Sequence, residues 1–131
     1  MRREKKLFLL AMILILNTEM FGEKIMYGSN SKDQIIEDKI SLDKDKSIQL
    51  NAGKNETDIT KVINKTEITV DGAKYGITLS SDSKKDEKGK NEFVNKGTLT
   101  VNNGTGIYYN NKTNSNQQVI NEVEKTSEGI T

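Results

Sequence analysis

Short apolar segments alternate with polar residues from about residue 47 to residue 110. Apolar side chains stand two positions apart within each segment, while Glu67, Thr69, Thr98 and Thr100 occupy the alternate positions. Successive side chains of a β-strand point to opposite faces, so a period of two is typical of a strand with one buried face. The apolar pairs are Ile48 and Leu50, Ile68 and Val70, Ile77 and Leu79, Leu99 and Val101, and Ile107 and Tyr109.

This alternation predicts a mostly β chain. Glycine and asparagine separate the apolar segments, and both residue types tolerate the positive φ that tight turns require. A weaker strand candidate lies at residues 40–42 and a weak short-helix candidate at 34–39. The strands are expected over residues 47–51, 59–63, 67–70, 76–80, 92–95, 98–102 and 106–110. The predicted turn glycines are Gly72, Gly76, Gly97, Gly104 and Gly106.

The segment 63–79 recurs, with small changes, as 94–109. Asn-Lys-Thr-Glu-Ile-Thr-Val at 64–70 aligns with Asn-Lys-Gly-Thr-Leu-Thr-Val at 95–101, and the following Gly-Ile pair recurs at an offset one residue shorter. A repeat of about thirty residues indicates a solenoid, in which each unit buries its apolar side against the next unit. The predicted core residues are Ile63, Ile68, Val70, Ile77, Leu79, Val94, Leu99, Val101, Ile107 and Tyr109.

The N-terminus has the pattern of an export signal. Four basic residues precede an unbroken apolar run at 7–16, which is too short to cross a hydrocarbon core of about 30 Å as a helix. Signal peptidase prefers small side chains one and three residues before the cut. Gly22 and Gly28 both satisfy the first preference, but Met20 and Met26 stand at the second position. We expect a helical signal peptide at 1–22, with an uncleaved anchor as the alternative.

These signals divide the chain into four parts. Residues 23–46 form a charged lead-in segment, 47–110 the solenoid turns, and 111–131 a loop with an incomplete further turn. We expect the lead-in linker and the C-terminal end to be disordered.

Composition excludes several classes of chemistry. The chain has no cysteine and no histidine, which removes Ser-His-Asp and Cys-His catalysis and the common zinc sites. The whole chain has 20 basic and 19 acidic residues; removal of residues 1–22 takes away four and two of these, leaving 16 and 17. A net charge near −1 gives no reason to expect nucleic-acid binding. We expect no enzyme activity, no cofactor and no metal.

Two acidic groups deserve comparison with functional motifs. Asp43 and Asp45 resemble the start of a calcium loop, but Ile48 and Lys54 replace its glycine and bidentate glutamate, so a turn is the better interpretation. Asp82, Asp86 and Glu87 could in principle pair as acid and base, but they lie in a lysine-rich segment that reads as a solvated loop.

Tyr108 is the candidate exposed contact. Alternation directs Tyr109 inward and Tyr108 outward, where its ring could contact glycan or protein. The favoured alternative packs Tyr108 beneath the loop at 110–118.

The motif at 95–101, followed by Asn-Gly-Thr-Gly-Ile-Tyr at 103–108, resembles the repeats of autotransporter passenger domains of Gram-negative surface adhesins. The resemblance covers residues 62–110. It implies a right-handed parallel β-helix that a C-terminal membrane barrel carries to the cell surface. Because no barrel-like strands follow Thr131 in this sequence, we expect an N-terminal or truncated piece of such a passenger.

The expected function is therefore that of a non-catalytic exported protein of the cell surface, outer membrane or extracellular space, contributing to adhesion or surface structure. The expected partners are the secretion machinery, host or neighbouring-cell surface molecules, or further turns of a longer chain. The alternatives are a small exported partner that adds strands to another sheet, or a non-functional truncated reading frame. A polysaccharide-cleaving β-helix is disfavoured because Glu67 aligns with Thr98 and not with another acid.

Overall fold

The structure, a computed structural model, describes residues 23–122. Eleven strands are found there, and the described residues form no helix. The strands are β1 (Glu23–Tyr27), β2 (Gln34–Ile36), β3 (Ile40–Leu42), β4 (Lys46–Asn51), β5 (Ile59–Asn64), β6 (Glu67–Ala73), β7 (Ile77–Ser80), β8 (Lys90–Asn95), β9 (Thr98–Gly104), β10 (Ile107–Asn110) and β11 (Asn116–Asn121).

The strands form three parallel sheets that the chain visits in turn. Sheet A has the order β1-β4-β7-β10, sheet B the order β11-β8-β5-β2, and sheet C the order β3-β6-β9. From β4 onward, each strand therefore pairs with the strand three positions earlier in the chain, which belongs to the preceding turn. This topology is a three-sided parallel β-solenoid of about three turns, which confirms the predicted fold class.

The register of the sheets follows the sequence repeat. Ile68 of β6 pairs with Leu99 of β9, and Val70 pairs with Val101. Just beyond these pairs the register shifts, so that Asp71 lies opposite Asn103. This irregularity is local, because Ala73 lies opposite Gly104 at the same offset as Val70 opposite Val101. The one-residue difference between the two repeats lies in the next corner, where residues 74–76 correspond to residues 105–106, and the following strands β7 and β10 are in register from Ile77 and Ile107.

The solenoid begins earlier than the sequence pattern predicted. Residues 23–46 contain β1, β2 and β3, which form the first turn beneath β4, β5 and β6. The short helix expected at 34–39 and the disordered linker are both wrong, because Ile36 and Leu42 are buried in the core at 4% and 0% exposure. The predicted leader helix lies outside the described residues.

The core fills the space between the three sheets. Ile68, Val70, Ile77 and Leu79 have no exposed surface, and the largest fully buried side chain is Phe93. In sheet B the core side chains are Val62 and Phe93 rather than the expected Ile63 and Val94. By alternation Ile63 and Val94 lie on the other side of the same strands, although they are also buried.

The two ends of the core differ in exposure. In the first turn Tyr27 is partly buried, and this burial raises the pKa of its hydroxyl above 10.0. In the last turn Leu99 and Ile107 are partly buried, whereas Val101 is 46% and Tyr109 51% exposed. Val101 and Tyr109 continue the ladders of Val70 and Leu79, so the C-terminal end of the described stack leaves core positions open.

A ladder of asparagine side chains lies at the corner between sheets B and C. Asn64 donates from Nδ2 to Oδ1 of Asn95 over 2.9 Å, and Asn95 donates in the same way to Asn121 over 3.0 Å. Asn64 also bonds the corner backbone, since its Oδ1 accepts from the Thr66 N–H at 3.1 Å. Because Asn64 and Asn95 are buried, these bonds satisfy groups that would otherwise be costly to remove from water.

Replacing Asn95 with alanine is expected to lower the free energy of unfolding by about 1–2 kcal/mol, because two ladder bonds are lost inside the corner. Urea denaturation followed by circular dichroism measures this change. Asn102→Ala is the matched control, since Asn102 is exposed on β9. Equal midpoints for the two variants would contradict a stabilising ladder.

Candidate interaction surface

All of the long connections lie at one corner of the solenoid, between sheets A and B. We call this corner the A–B edge; its connections are residues 28–33, 52–58, 81–89 and 111–115. At the other two corners no connection exceeds three residues: 37–39, 65–66 and 96–97 join sheet B to C, and 43–45, 74–76 and 105–106 join sheet C to A. Stacked turns need matched strands, so extra chain collects at the one corner where it does not disturb them.

Hydrogen bonds join the last two loops of this edge. Ser81 donates from Oγ to Oδ1 of Asn111 over 2.9 Å, and the same Oγ accepts from the Lys112 N–H at 2.7 Å. Ser115 donates from Oγ to the same Asn111 oxygen over 2.7 Å. Ser81 and Ser115 are buried, so the loops form a fixed surface rather than two independent segments.

Two acidic side chains of the loop at 81–89 accept hydrogen bonds from the backbone of the same loop. Asp82 Oδ1 accepts from the Lys84 N–H at 2.9 Å, and Glu87 Oε2 accepts from the Asp82 N–H at 2.7 Å. Glu87 is only 8% exposed, and its carbonyl accepts from the Thr113 hydroxyl. These bonds give Asp82 and Glu87 a structural role in shaping the loop.

The lysines of the same loop point to solvent. Lys84, Lys85 and Lys88 are all exposed, as are the neighbouring Lys54 and Lys112. The described structure shows no ion pair for any of these five lysines. The A–B edge therefore presents these ammonium groups, together with the exposed carboxylates of Asp33, Glu56 and Asp86, on a backbone that hydrogen bonds hold in place.

A second feature lies on the outer face of sheet A. The rings of Tyr75 and Tyr108 stack with centroids 4.0 Å apart and planes inclined by 16°, and Lys74 Nζ lies 5.5 Å from the Tyr75 centroid. Tyr108 follows Gln49 and Thr78 in the outward ladder. It packs on Tyr75 rather than beneath the loop at 110–118, and the pair borders a concavity of about 280 Å³.

The turn at Asp43 and Asp45 has no metal-like geometry. Asp43 Oδ1 accepts from the Asp45 N–H at 2.8 Å, and the Asp43 carbonyl accepts from the Lys46 N–H at 3.2 Å. These bonds make it a local turn between β3 and β4. Within residues 23–122 no group of three or more acidic side chains is arranged to hold a metal ion.

The predicted turn glycines lie at crowded or left-handed positions. Gly72 and Gly104 have φ of +98° and +102°. A side chain at Gly97 would meet the backbone of Thr66, and one at Gly76 or Gly106 would meet a valine methyl group. Gly76, Gly97 and Gly106 lie in corners between sheets, whereas Gly72 lies within β6 and Gly104 at the end of β9.

Comparisons with protein-family models, curated proteins and solved structures found no match. In the part of the chain that the structure describes, no helix has the length and apolar character needed to cross a membrane. The fold, the A–B edge and the stacked tyrosines are therefore the features on which a functional assignment rests.

Proposed function

We propose that this chain is a non-catalytic, exported surface protein whose β-solenoid displays the loops of the A–B edge for adhesion or surface structure. The observation that carries the proposal is the collection of every long connection at one corner. A rigid stack that displays loops on one side suits contact with another surface. The same described residues offer no grouped acids for metal binding.

The sequence supports the proposed export. Four basic residues and the apolar run at 7–16 match the signal for export. Because the chain has no cysteine, packing and hydrogen bonds stabilise it without disulfides. The resemblance to autotransporter passengers extends over residues 62–110, which lie within the stacked turns of the solenoid.

Attachment can be measured with beads that carry the purified protein. Beads are applied to epithelial monolayers, to bacterial cells and to glass, and beads coated with an inert protein give the background. The double variant Lys84→Glu and Lys85→Glu reverses two charges on the A–B edge, where both side chains are exposed. We expect at least a several-fold loss of attachment at low salt, because the screening length of exposed charges increases from about 10 Å at 0.1 M to about 30 Å at 0.01 M ionic strength.

The matched control reverses two charges at another corner. Lys65→Glu and Lys96→Glu make the same change in net charge between sheets B and C, where both lysines are exposed. This variant should attach like the unaltered protein. Equal losses in both variants would contradict adhesion through the A–B edge, and attachment at background level on every surface would contradict adhesion itself.

The open end of the stack favours a second candidate function. Val101 and Tyr109 occupy core ladders but are about half exposed, and β9 and β10 are edge strands there. A partner that adds strands to this end would cover both side chains. If the chain acts as such a strand-adding partner, it should elute with a second polypeptide from mild extracts, and Val101→Lys should release that polypeptide.

A further inference from the structure

Two candidate leader boundaries carry the same local sequence motif. Met20-Phe21-Gly22 and Met26-Tyr27-Gly28 each place glycine directly before a cut and methionine two residues earlier. Leaders of 22 and 28 residues both fall within the usual range of about 15–30 residues. Neither the motif nor the length distinguishes the two boundaries.

The structure distinguishes them, because β1 lies between the two glycines. All five residues of β1 pair in parallel with β4, from Glu23 opposite Lys46 to Tyr27 opposite Leu50. Ile25 and Tyr27 pack against the core. A cut after Gly28 would remove this strand and uncover one side of Ile48 and Leu50, which have no exposed surface.

We infer that signal peptidase cleaves between Gly22 and Glu23, the boundary expected from the sequence, so that the mature protein retains β1. This inference rests on the proposed export. In the reaction, water adds its hydroxyl to the carbonyl carbon of Gly22, the amide bond breaks, and the nitrogen of Glu23 becomes an α-amino group. No oxidant or cofactor is needed.

The new α-amino group would lie where the folded chain already makes a backbone hydrogen bond. The backbone nitrogen of Glu23 donates to the carbonyl of Asp45 in the turn between β3 and β4. The side chains of Asp43 and Asp45 belong to the same turn and, like Glu23, border the concavity on this side of sheet A. An α-amino group at Glu23 keeps the hydrogen bond that the amide makes to the carbonyl of Asp45, at a concavity that both carboxylates and lysines line.

Distance from the apolar run agrees with this boundary. The stretch between the apolar run, which ends at Leu16, and the cut has six residues (17–22) for a cut after Gly22 and twelve residues (17–28) for a cut after Gly28. Fully extended, these stretches reach about 20 Å and about 40 Å at about 3.3–3.6 Å per residue. A peptidase anchored in the membrane acts close to its surface, so the nearer glycine is the better placed.

The test is the N-terminal sequence and intact mass of the full chain after expression in a Gram-negative host. We expect a product that begins with Glu23. A product that begins with Ser29 would overturn the inferred boundary and leave export intact. A product that retains Met1 and stays in the cytoplasm would overturn both the boundary and the proposed export, and one that retains Met1 in the membrane fraction would overturn the boundary in favour of an anchor.

Two single variants test which of the two glycines precedes the cut. Gly22→Leu puts a bulky side chain before the inferred cut and should leave most of the precursor uncleaved. Gly28→Leu is the matched control, because Gly28 is exposed and a Cβ there meets no atom within 4 Å; its product should still begin with Glu23. Loss of processing in Gly28→Leu, with normal processing in Gly22→Leu, would overturn the inference.

Discussion

Replacement of Phe93 by alanine is expected to cost the fold about 3–5 kcal/mol, the usual loss for a large aromatic side chain truncated in a core. Phe93 has no exposed surface and lies between Val62 and Val119 in the central ladder of sheet B. Since small domains have a total stability of about 5–15 kcal/mol, this loss removes a substantial share of it, and the melting temperature should fall by at least about 10 °C. Thermal unfolding followed by circular dichroism measures the loss.

The control for this substitution retains most of the volume. Phe93→Leu leaves an apolar side chain of moderate size and should cost well under half as much as the alanine variant, because the residual cavity is smaller. Similar melting temperatures for the alanine variant and the unaltered protein would show that sheet B does not depend on this side chain.

Replacement of Gly97 by alanine should cost at least about 3 kcal/mol, the upper end of the usual penalty for overpacking. A Cβ at this position would lie 2.0 Å from the carbonyl oxygen of Thr66 in the turn below. The obstructing atom belongs to the backbone of the stacked corner and cannot move aside as a side chain could. We expect the turns above and below this corner to separate and the urea midpoint to fall.

Gly28→Ala serves as the comparison, because its Cβ would meet no atom within 4 Å. This variant should change the free energy of unfolding by no more than about 0.5 kcal/mol, as expected for an exposed site. If Gly97→Ala proved as stable as Gly28→Ala, the close stacking of Thr66 and Gly97 would be incorrect.

The strands at 47–110 could be predicted because two independent signals coincide there. Alternation gives the strand period, and the repeat places Ile68 over Leu99 and Ile77 over Ile107, as the register shows. The predicted ends differ most at β6, which continues to Ala73 rather than Val70. The one-residue offset between the repeats, visible in the sequence, appears as a shorter corner, residues 105–106 instead of 74–76.

Of the first turn, only β3 could be predicted, as the weak strand candidate at 40–42, since the strands of this turn are short and its corners are charged. β2 and β3 have three residues each, which is too few for a period of two to stand out from a helical pattern. What stabilises them is the turn above: Ile40 pairs with Ile68, and Leu42 pairs with Val70. Tertiary pairing of this kind has no local signal.

The core-facing residues of sheet B were predicted wrongly for a different reason. Val62 and Ile63 are adjacent apolar residues, as are Phe93 and Val94, so alternation allows two phases. The asparagine that follows each pair decides the phase, because Asn64 and Asn95 point into the corner and bond to each other. The recurrence of Asn64, Asn95 and Asn121 after an apolar pair was a readable signal of this ladder.

The A–B edge was only half visible in the sequence. The lysine-rich loop after β7 and the loop after β10 were both expected from the sequence, but the loops at 28–33 and 52–58 could be aligned with them only in the structure. The stacking of Tyr75 on Tyr108 was not predicted, because the two residues belong to different positions of the repeat and meet across a corner.

The confinement of long connections to one corner has a consequence for how such a protein can change over time. Loops at 81–89 and 111–115 differ in length, yet β7 and β10 remain in register on one side and β8 and β11 on the other. Insertions and deletions at this corner leave the pairing of every sheet intact. One side of the molecule can therefore diversify under selection, for example by an immune system, while the opposite corners stay fixed by the steric demands of residues such as Gly97.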